Sequence, residues 1–366
     1  MHPVKLVALV FVLAIASFSV LESSSQLRAE EDLRSFQEIE REALDLFRKG
    51  RRLANEKKYV EALRAWTRAF VNKLPQYRGL EFRYPVQSHF MTRAKLRDFL
   101  LDNFRKEYPP ERVEADQFTL RLFGLFPDDL DLHETLVSLY SEEIAGFYDP
   151  DTKGLYLIAE EADPKPKKEK KSLWKKLFNP GPRAFDPNEQ RILLAHEMQH
   201  ALADQHFDLF SLMRSAESDE DMMVGIQGLV EGEAMLTMMM DASTSGRGDG
   251  RDVLRASETM ADWMATITNM GSSLSTGKTF RTAPLILQES LLFPYTQGMR
   301  FCAHLATRGG WPAINKAFRN PPLSTEQILH PEKYTTKRDD PVAIAFPKSL
   351  PKGVDGDWEL VKEGVL

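Results

Sequence analysis

The segment DPNEQRILLAHEMQHALADQHF, residues 186–207, constrains this chain more than any other. Asp186 suits an N-cap, Pro187 the first turn and Glu189 the closing position of a capping box, so the spacing predicts a helix running through HEMQH. Successive helical residues advance by about 100°, which leaves His196 and His200 about 40° apart on one face. Two imidazoles so placed can share one cation, and Glu197 beside them can take a proton from water. Buried without a cation, the same side chains would each need another polar partner.

HExxH on a helix is a zinc-binding pattern, and a catalytic zinc needs a third protein ligand with one position left open. Two candidates compete. His206 completes HEMQHALADQH, a spacing similar to the HExxHxxGxxH of metzincins, but Ala203 stands where that family has a helix-breaking glycine. If the helix continues, His206 lies about 100° from the shared face. The other candidate is Glu231 in GLVEGEAMLTMMM, separated from His200 by thirty residues, room enough for a loop and a second antiparallel helix. Glu231 and Glu233 are about 200° apart on such a helix, so only one can face the ion.

Three further stretches carry a resemblance. VEGEA resembles the NEGFA-like segment of gluzincin aminopeptidases, whose first glutamate is the metal ligand, and this points to Glu231. LLFPYTQGMRF resembles their PYxKG stretch ahead of a helix, whose tyrosine stabilises the oxyanion; the match falls on Tyr295. With GFYDPDTKGLYLI upstream and STEQILHPEKY downstream, the arrangement from Gly79 to Tyr334 resembles a family of exported bacterial HExxH proteins of gluzincin type. The resemblance implies a metallopeptidase site and no particular substrate. A GxMEN-like segment, which holds a substrate's free amine in such aminopeptidases, is missing, so endopeptidase action is expected.

The rest of the chain frames that site. Its 366 residues, 42% apolar, can bury a sizeable core, and a net charge of −6 argues against nucleic acid as a partner. Cys302 is the only cysteine, which excludes an intramolecular disulfide and a cysteine-based metal cluster. Residues 1–29 read as a signal peptide or an N-terminal anchor, hence an exported protein, periplasmic, secreted or membrane-anchored. Residues 30–76 predict a helical hairpin. It resembles one tetratricopeptide unit, with Leu46, Gly50, Leu53, Tyr59, Ala62, Trp66 and Ala69 at the signature positions. One unit cannot bury its own apolar face, so packing on the rest of the protein is preferred over a partner-binding role.

Residues 77–161 read as an α/β part. Phe82, Tyr84 and Val86 alternate as in an edge strand; two helical stretches follow, the second from Asp131; then IAGFYDPDTKGLYLIA forms a hairpin. Residues 162–186 are a basic, mobile insertion, or a peripheral contact with anionic lipid through Leu173, Trp174, Leu177 and Phe178. Residues 187–345 form the helical zinc-binding part and 346–366 a tail. Asp204 reads as an orienter of a ligand histidine or as a solvated residue, and His330 and Tyr334 as cleft-lining or as a turn before proline. Met235 to Met240 read as core, and the RGD of TSGRGDGRD as a glycine-rich loop.

The fold expected is thus α+β and mainly helical, gluzincin-like with a small sheet, preceded by the hairpin. The function expected is hydrolysis of a peptide or protein substrate, with Zn2+ on His196, His200 and Glu231, Glu197 as general base and Tyr295 at the oxyanion. The alternative is an envelope interaction protein whose zinc site is structural or catalytically idle.

Overall fold

The computed structural model describes residues 37–107, 110–144, 146–158, 187–243 and 278–342. The segment expected to direct export, Asp186, the expected basic insertion, the RGD triplet and the expected tail lie outside the described residues. No described helix is long and apolar enough to cross a membrane. The architecture is mainly helical with one three-stranded mixed sheet, an α+β arrangement.

The chain enters through a helical hairpin, α1 (37–55) and α2 (Tyr59–Arg78). Its apolar stripe, with Phe47, Leu63, Trp66, Phe70 and Leu74, is buried, and Trp66 Nε1 donates to the Phe47 carbonyl at 3.2 Å. These side chains share one core with Leu194, Met198 and Leu202 further along the chain. The hairpin is therefore packed onto the rest of the molecule, which supplies the burial that one such unit lacks.

The strand expected over Phe82–Val86 forms instead at β1 (Gln87–Met91). Pro85 has no N–H to give a ladder, and a side chain from far along the chain takes the neighbouring groups. Gln205 Oε1 accepts from Arg83 N at 2.7 Å, and Gln205 Nε2 donates to the Tyr84 carbonyl at 2.9 Å. Three helices follow β1 where two were expected: α3 (Arg93–Glu107), α4 (Pro110–Leu122) and α5 (Leu132–Glu143). Proline opens α4, since it fits the first turn and not a helix interior. Asp131 caps α5 by accepting from Glu134 N at 2.7 Å.

The expected hairpin is present as β2 (Gly146–Asp149) and β3 (Gly154–Ile158), antiparallel, with Asp149 organising the turn by accepting from Asp151 N and Thr152 Oγ1. β1 adds to β3 in parallel, giving the order β1-β3-β2. β2 is thus an edge, and it faces the central helix α6 (Pro187–Phe207). From Leu194 to Gln205 every residue of α6 is buried, because α2 and the sheet cover one side and α8 the other.

After the short α7 (Leu209–Arg214), α8 (Glu220–Ser243) packs on α6 and, most extensively, on α10. The short α9 (Lys278–Thr282) precedes α10 (Leu285–Arg319), which is broken at Gly310, where φ is 60°. The α8–α10 crossing is backbone on backbone: a Cβ on Gly232 would stand 2.1 Å from the Gly298 carbonyl oxygen, and one on Gly298 2.0 Å from that of Gly228. Only glycine permits this approach. Met235, Met238, Met239 and Met240 are buried core residues, as expected. Two short helices, α11 (Thr325–Leu329) and α12 (Glu332–Thr335), close the described chain. Asp221 at the start of α8 accepts from Thr325 N and Oγ1, which docks α11 there.

Candidate metal centre

His196 and His200 stand one turn apart on α6 and α8 brings Glu231 to them. His196 Nε2 lies 3.0 Å from His200 Nε2 and 2.9 Å from Glu231 Oε2, and His200 Nε2 lies 3.4 Å from the same oxygen. The imidazoles are nearly perpendicular, at 89°. Both histidines are buried, while the Glu231 side chain keeps 23% exposure, so the cluster opens toward solvent on the Glu231 side. Among the described residues these three form a group that could hold a metal ion. Burial disfavours charge on His200, but Glu231 outweighs it and the imidazole is pushed up to about 9. Burial likewise raises the Glu231 carboxyl, and the two histidines more than offset this, holding it far below the ordinary range.

The competing ligands point elsewhere. α6 continues through Ala203 without a break, and His206 Nε2 lies 2.8 Å from the Glu81 carbonyl. Glu233, on the other side of α8, is almost fully buried and accepts from Arg78 Nε at 2.6 Å. Arg78 Nη2 reaches the same oxygen and also donates to Asn315 Oδ1 at 2.7 Å. Of the two glutamates in VEGEA, one meets the histidines and the other an arginine.

Glu197 is buried beside the cluster, and its Oε2 accepts from the backbone N–H of Tyr148 at 2.8 Å. Desolvation is the main influence on this carboxyl and raises it above the usual range; the neighbouring histidines and the Tyr148 N–H pull the other way. Tyr148 is itself locked. Its hydroxyl donates to Asp204 Oδ2 at 2.7 Å, and burial together with Asp204 raises the phenol's pKa far above normal.

Asp204 fulfils neither of its expected roles. It is buried and bonds neither ligand histidine; besides Tyr148 it receives Lys153 Nζ at 3.0 Å and Leu209 N at 2.9 Å. It ties the end of α6 to the β2–β3 hairpin, and so holds the Tyr148 N–H against Glu197.

Tyr295 reaches the site from α10, its ring 6.1 Å from that of His196. The charge of Glu231, then burial and Glu197, raise its phenol well above the ordinary value, which keeps it protonated and a donor. Tyr295 does not precede a helix as PYxKG implied, since α10 begins at Leu285 and runs through Pro294. His330 and Tyr334 are not in the cleft. His330 ends α11, exposed, and Tyr334 donates to the Asn320 carbonyl at 2.6 Å and packs on Phe301.

Sequence reasoning missed Tyr148, Arg78 and Gln205. Tyr148 was visible as an aromatic of the hairpin, though nothing local ties it to Glu197. Arg78 ends an amphipathic helix, where a basic residue is ordinary on dipole grounds alone. No protein-family model, curated protein or solved structure matches the chain.

Proposed function

We propose that this protein is a zinc metallopeptidase of gluzincin type that cleaves within extended or unfolded polypeptides. The observation that carries the reading is the convergence of His196, His200 and Glu231 beside a buried carboxylate, Glu197, that belongs to no ion pair with lysine or arginine among the described residues. The donor set fits the ion. Two imidazole nitrogens and one carboxylate oxygen make a zinc triad, and their separations of 2.9, 3.0 and 3.4 Å are close to the edge of about 3.3 Å expected for tetrahedral bonds of ~2.0–2.1 Å. When bound, zinc supplies Lewis acidity that makes water a nucleophile at neutral pH and polarises a carbonyl.

The protein's own groups do the rest. Tyr148 N–H holds one oxygen of Glu197, which fixes the carboxylate's orientation and leaves the other oxygen to take a proton from the attacking water. Burial makes Glu197 a stronger base than an exposed glutamate. The same carboxyl, once protonated, can pass the proton to the leaving amine. Tyr295 donates to the negative charge that develops on the former carbonyl oxygen. β2, with β3 as its only strand neighbour among the described residues, offers an edge along which an extended peptide can align by backbone hydrogen bonds.

An envelope interaction protein with an idle site has no use for a base at position 197. Wild type and Glu197→Gln, each assayed for bound zinc and for cleavage of an unfolded protein, separate the two readings. Equal zinc with cleavage only by wild type is the expected result; zinc bound but no cleavage by either protein overturns the peptidase.

A further inference from the structure

We infer that Arg78, on the α1–α2 hairpin, is a positioning residue of the metal centre: by holding Glu233 it fixes the rotation of α8 that delivers Glu231 to His196 and His200. The inference rests on the three-residue site proposed above.

Glu231 and Glu233 are the same side chain on one helix, separated by Gly232 and about 200° apart. Either could ligate a cation if α8 turned about its axis. The backbone contact of Gly232 with Gly298 limits how far α8 can turn. Within that limit, what distinguishes the two glutamates is Arg78. It is fully buried at the last position of α2, its Nε and Nη2 both engage Glu233 Oε1, its Nη2 also reaches Asn315, and its guanidinium lies 4.5 Å over the Trp311 ring.

A second buried pair repeats the grip eight residues along α8. Lys73 Nζ lies 2.7 Å from Asp241 Oδ1 and 3.1 Å from Glu40 Oε1. α2 therefore holds α8 at two points, which restrains sliding as well as rotation. With Arg78 removed, Glu233 is left buried without its guanidinium, and α8 shifts to relieve that charge, which moves Glu231 from its place beside the histidines. A buried charge that loses its one partner is strongly disfavoured, whereas removing both partners together is tolerated.

The test compares wild type, Arg78→Met, and the double variant Arg78→Met with Glu233→Met. Each is measured by circular dichroism, by zinc affinity in chelator competition, and by the visible absorption of the Co2+-substituted protein, which reports the coordination set. Arg78→Met is expected to lose about 10- to 100-fold in zinc affinity, the usual cost of losing a group that orients a ligand, and to shift the Co2+ bands. The double variant is expected to return both to near wild type. If Arg78→Met does not fold, Arg78→Lys, which keeps the charge and loses the fork, takes its place with an intermediate loss. Unchanged affinity in the single variant, or a folded double variant that binds zinc as weakly as the single one, overturns the inference while leaving the zinc site intact. Failure of wild type itself to bind one zinc removes the site and the inference together.

Discussion

Replacing Gly298 by alanine tests how the helices deliver Tyr295 to the metal centre. A Cβ there would stand 2.0 Å from the Gly228 carbonyl oxygen, against about 3.4 Å for ordinary contact, so α10 must move off α8 by about 1.4 Å. The obstacle is backbone, which no rotamer change relieves, so the cost lies near the top of the ~1–3 kcal/mol range for overpacking. Alanine's better helix propensity returns about 1 kcal/mol, leaving a net loss of about 2 kcal/mol. At ~2–4 °C per kcal/mol for a fold of this size, the melting temperature should fall by about 4–8 °C.

Gly228→Ala is the control from the same face of α8. Its Cβ would have the Ile328 side chain as its nearest contact, at an ordinary 3.4 Å, so the variant should gain about 0.5–1 kcal/mol. Thermal unfolding by circular dichroism measures both. Activity adds a second reading, since Tyr295 lies three residues before Gly298, and a displacement of ~1 Å at a reacting centre can cost about 100-fold in rate. A Gly298→Ala protein that melts at or above the wild-type temperature, or a Gly228→Ala protein destabilised as much, refutes the close-approach reasoning.

Zinc content after dialysis should collapse in Glu231→Ala, by more than the ~10- to 100-fold typical of a supporting residue, and stay at the wild-type level in His206→Ala. Tyr148→Phe removes one hydrogen bond to the buried Asp204 carboxylate and should cost about 1.5–3 kcal/mol in urea unfolding, with weaker hydrolysis because the Tyr148 N–H is no longer held against Glu197. An unchanged urea midpoint would show that the lock carries no weight. The metal-free protein should be most stable near neutral to mildly acidic pH. His200, raised from 6.5 to about 9, stabilises fully below 6.5 and loses that contribution as pH rises through 9; Glu231, lowered by the histidines, loses its contribution as pH falls below the ordinary carboxylate range. Melting temperatures from pH 5 to 9, with and without zinc, would check this, and a metal-free protein that gains stability from pH 6.5 to 9 would contradict it.

What the sequence disclosed was whatever one element's own periodicity encodes. The shared face of His196 and His200, the continuation of α6 past Ala203 and the β2–β3 turn each follow from neighbours within a few residues. The failures have partners far away. Phe82 to Val86 alternate like a strand, yet the amide of Gln205, more than 120 residues on, takes the hydrogen bonds that a ladder would have used. Glu231 was singled out from Glu233 by resemblance; the physical reason, Arg78, lies 155 residues upstream of Glu233. Asp204 looked like a helper of a ligand histidine because it follows His200 by one turn, but Tyr148 and Lys153 from the hairpin claim it first. The PYxKG resemblance put Tyr295 ahead of a helix, whereas α10 had already begun at Leu285.

The grip of α2 on α8 also dictates timing. Arg78 meets Glu233 across 155 residues and Lys73 meets Asp241 across 168, so these two contacts cannot form until the polypeptide has been made as far as Asp241. Contacts of such separation form late and slowly. A nascent copy made only as far as HEMQH therefore has neither contact, nor Glu231 beside its two histidines.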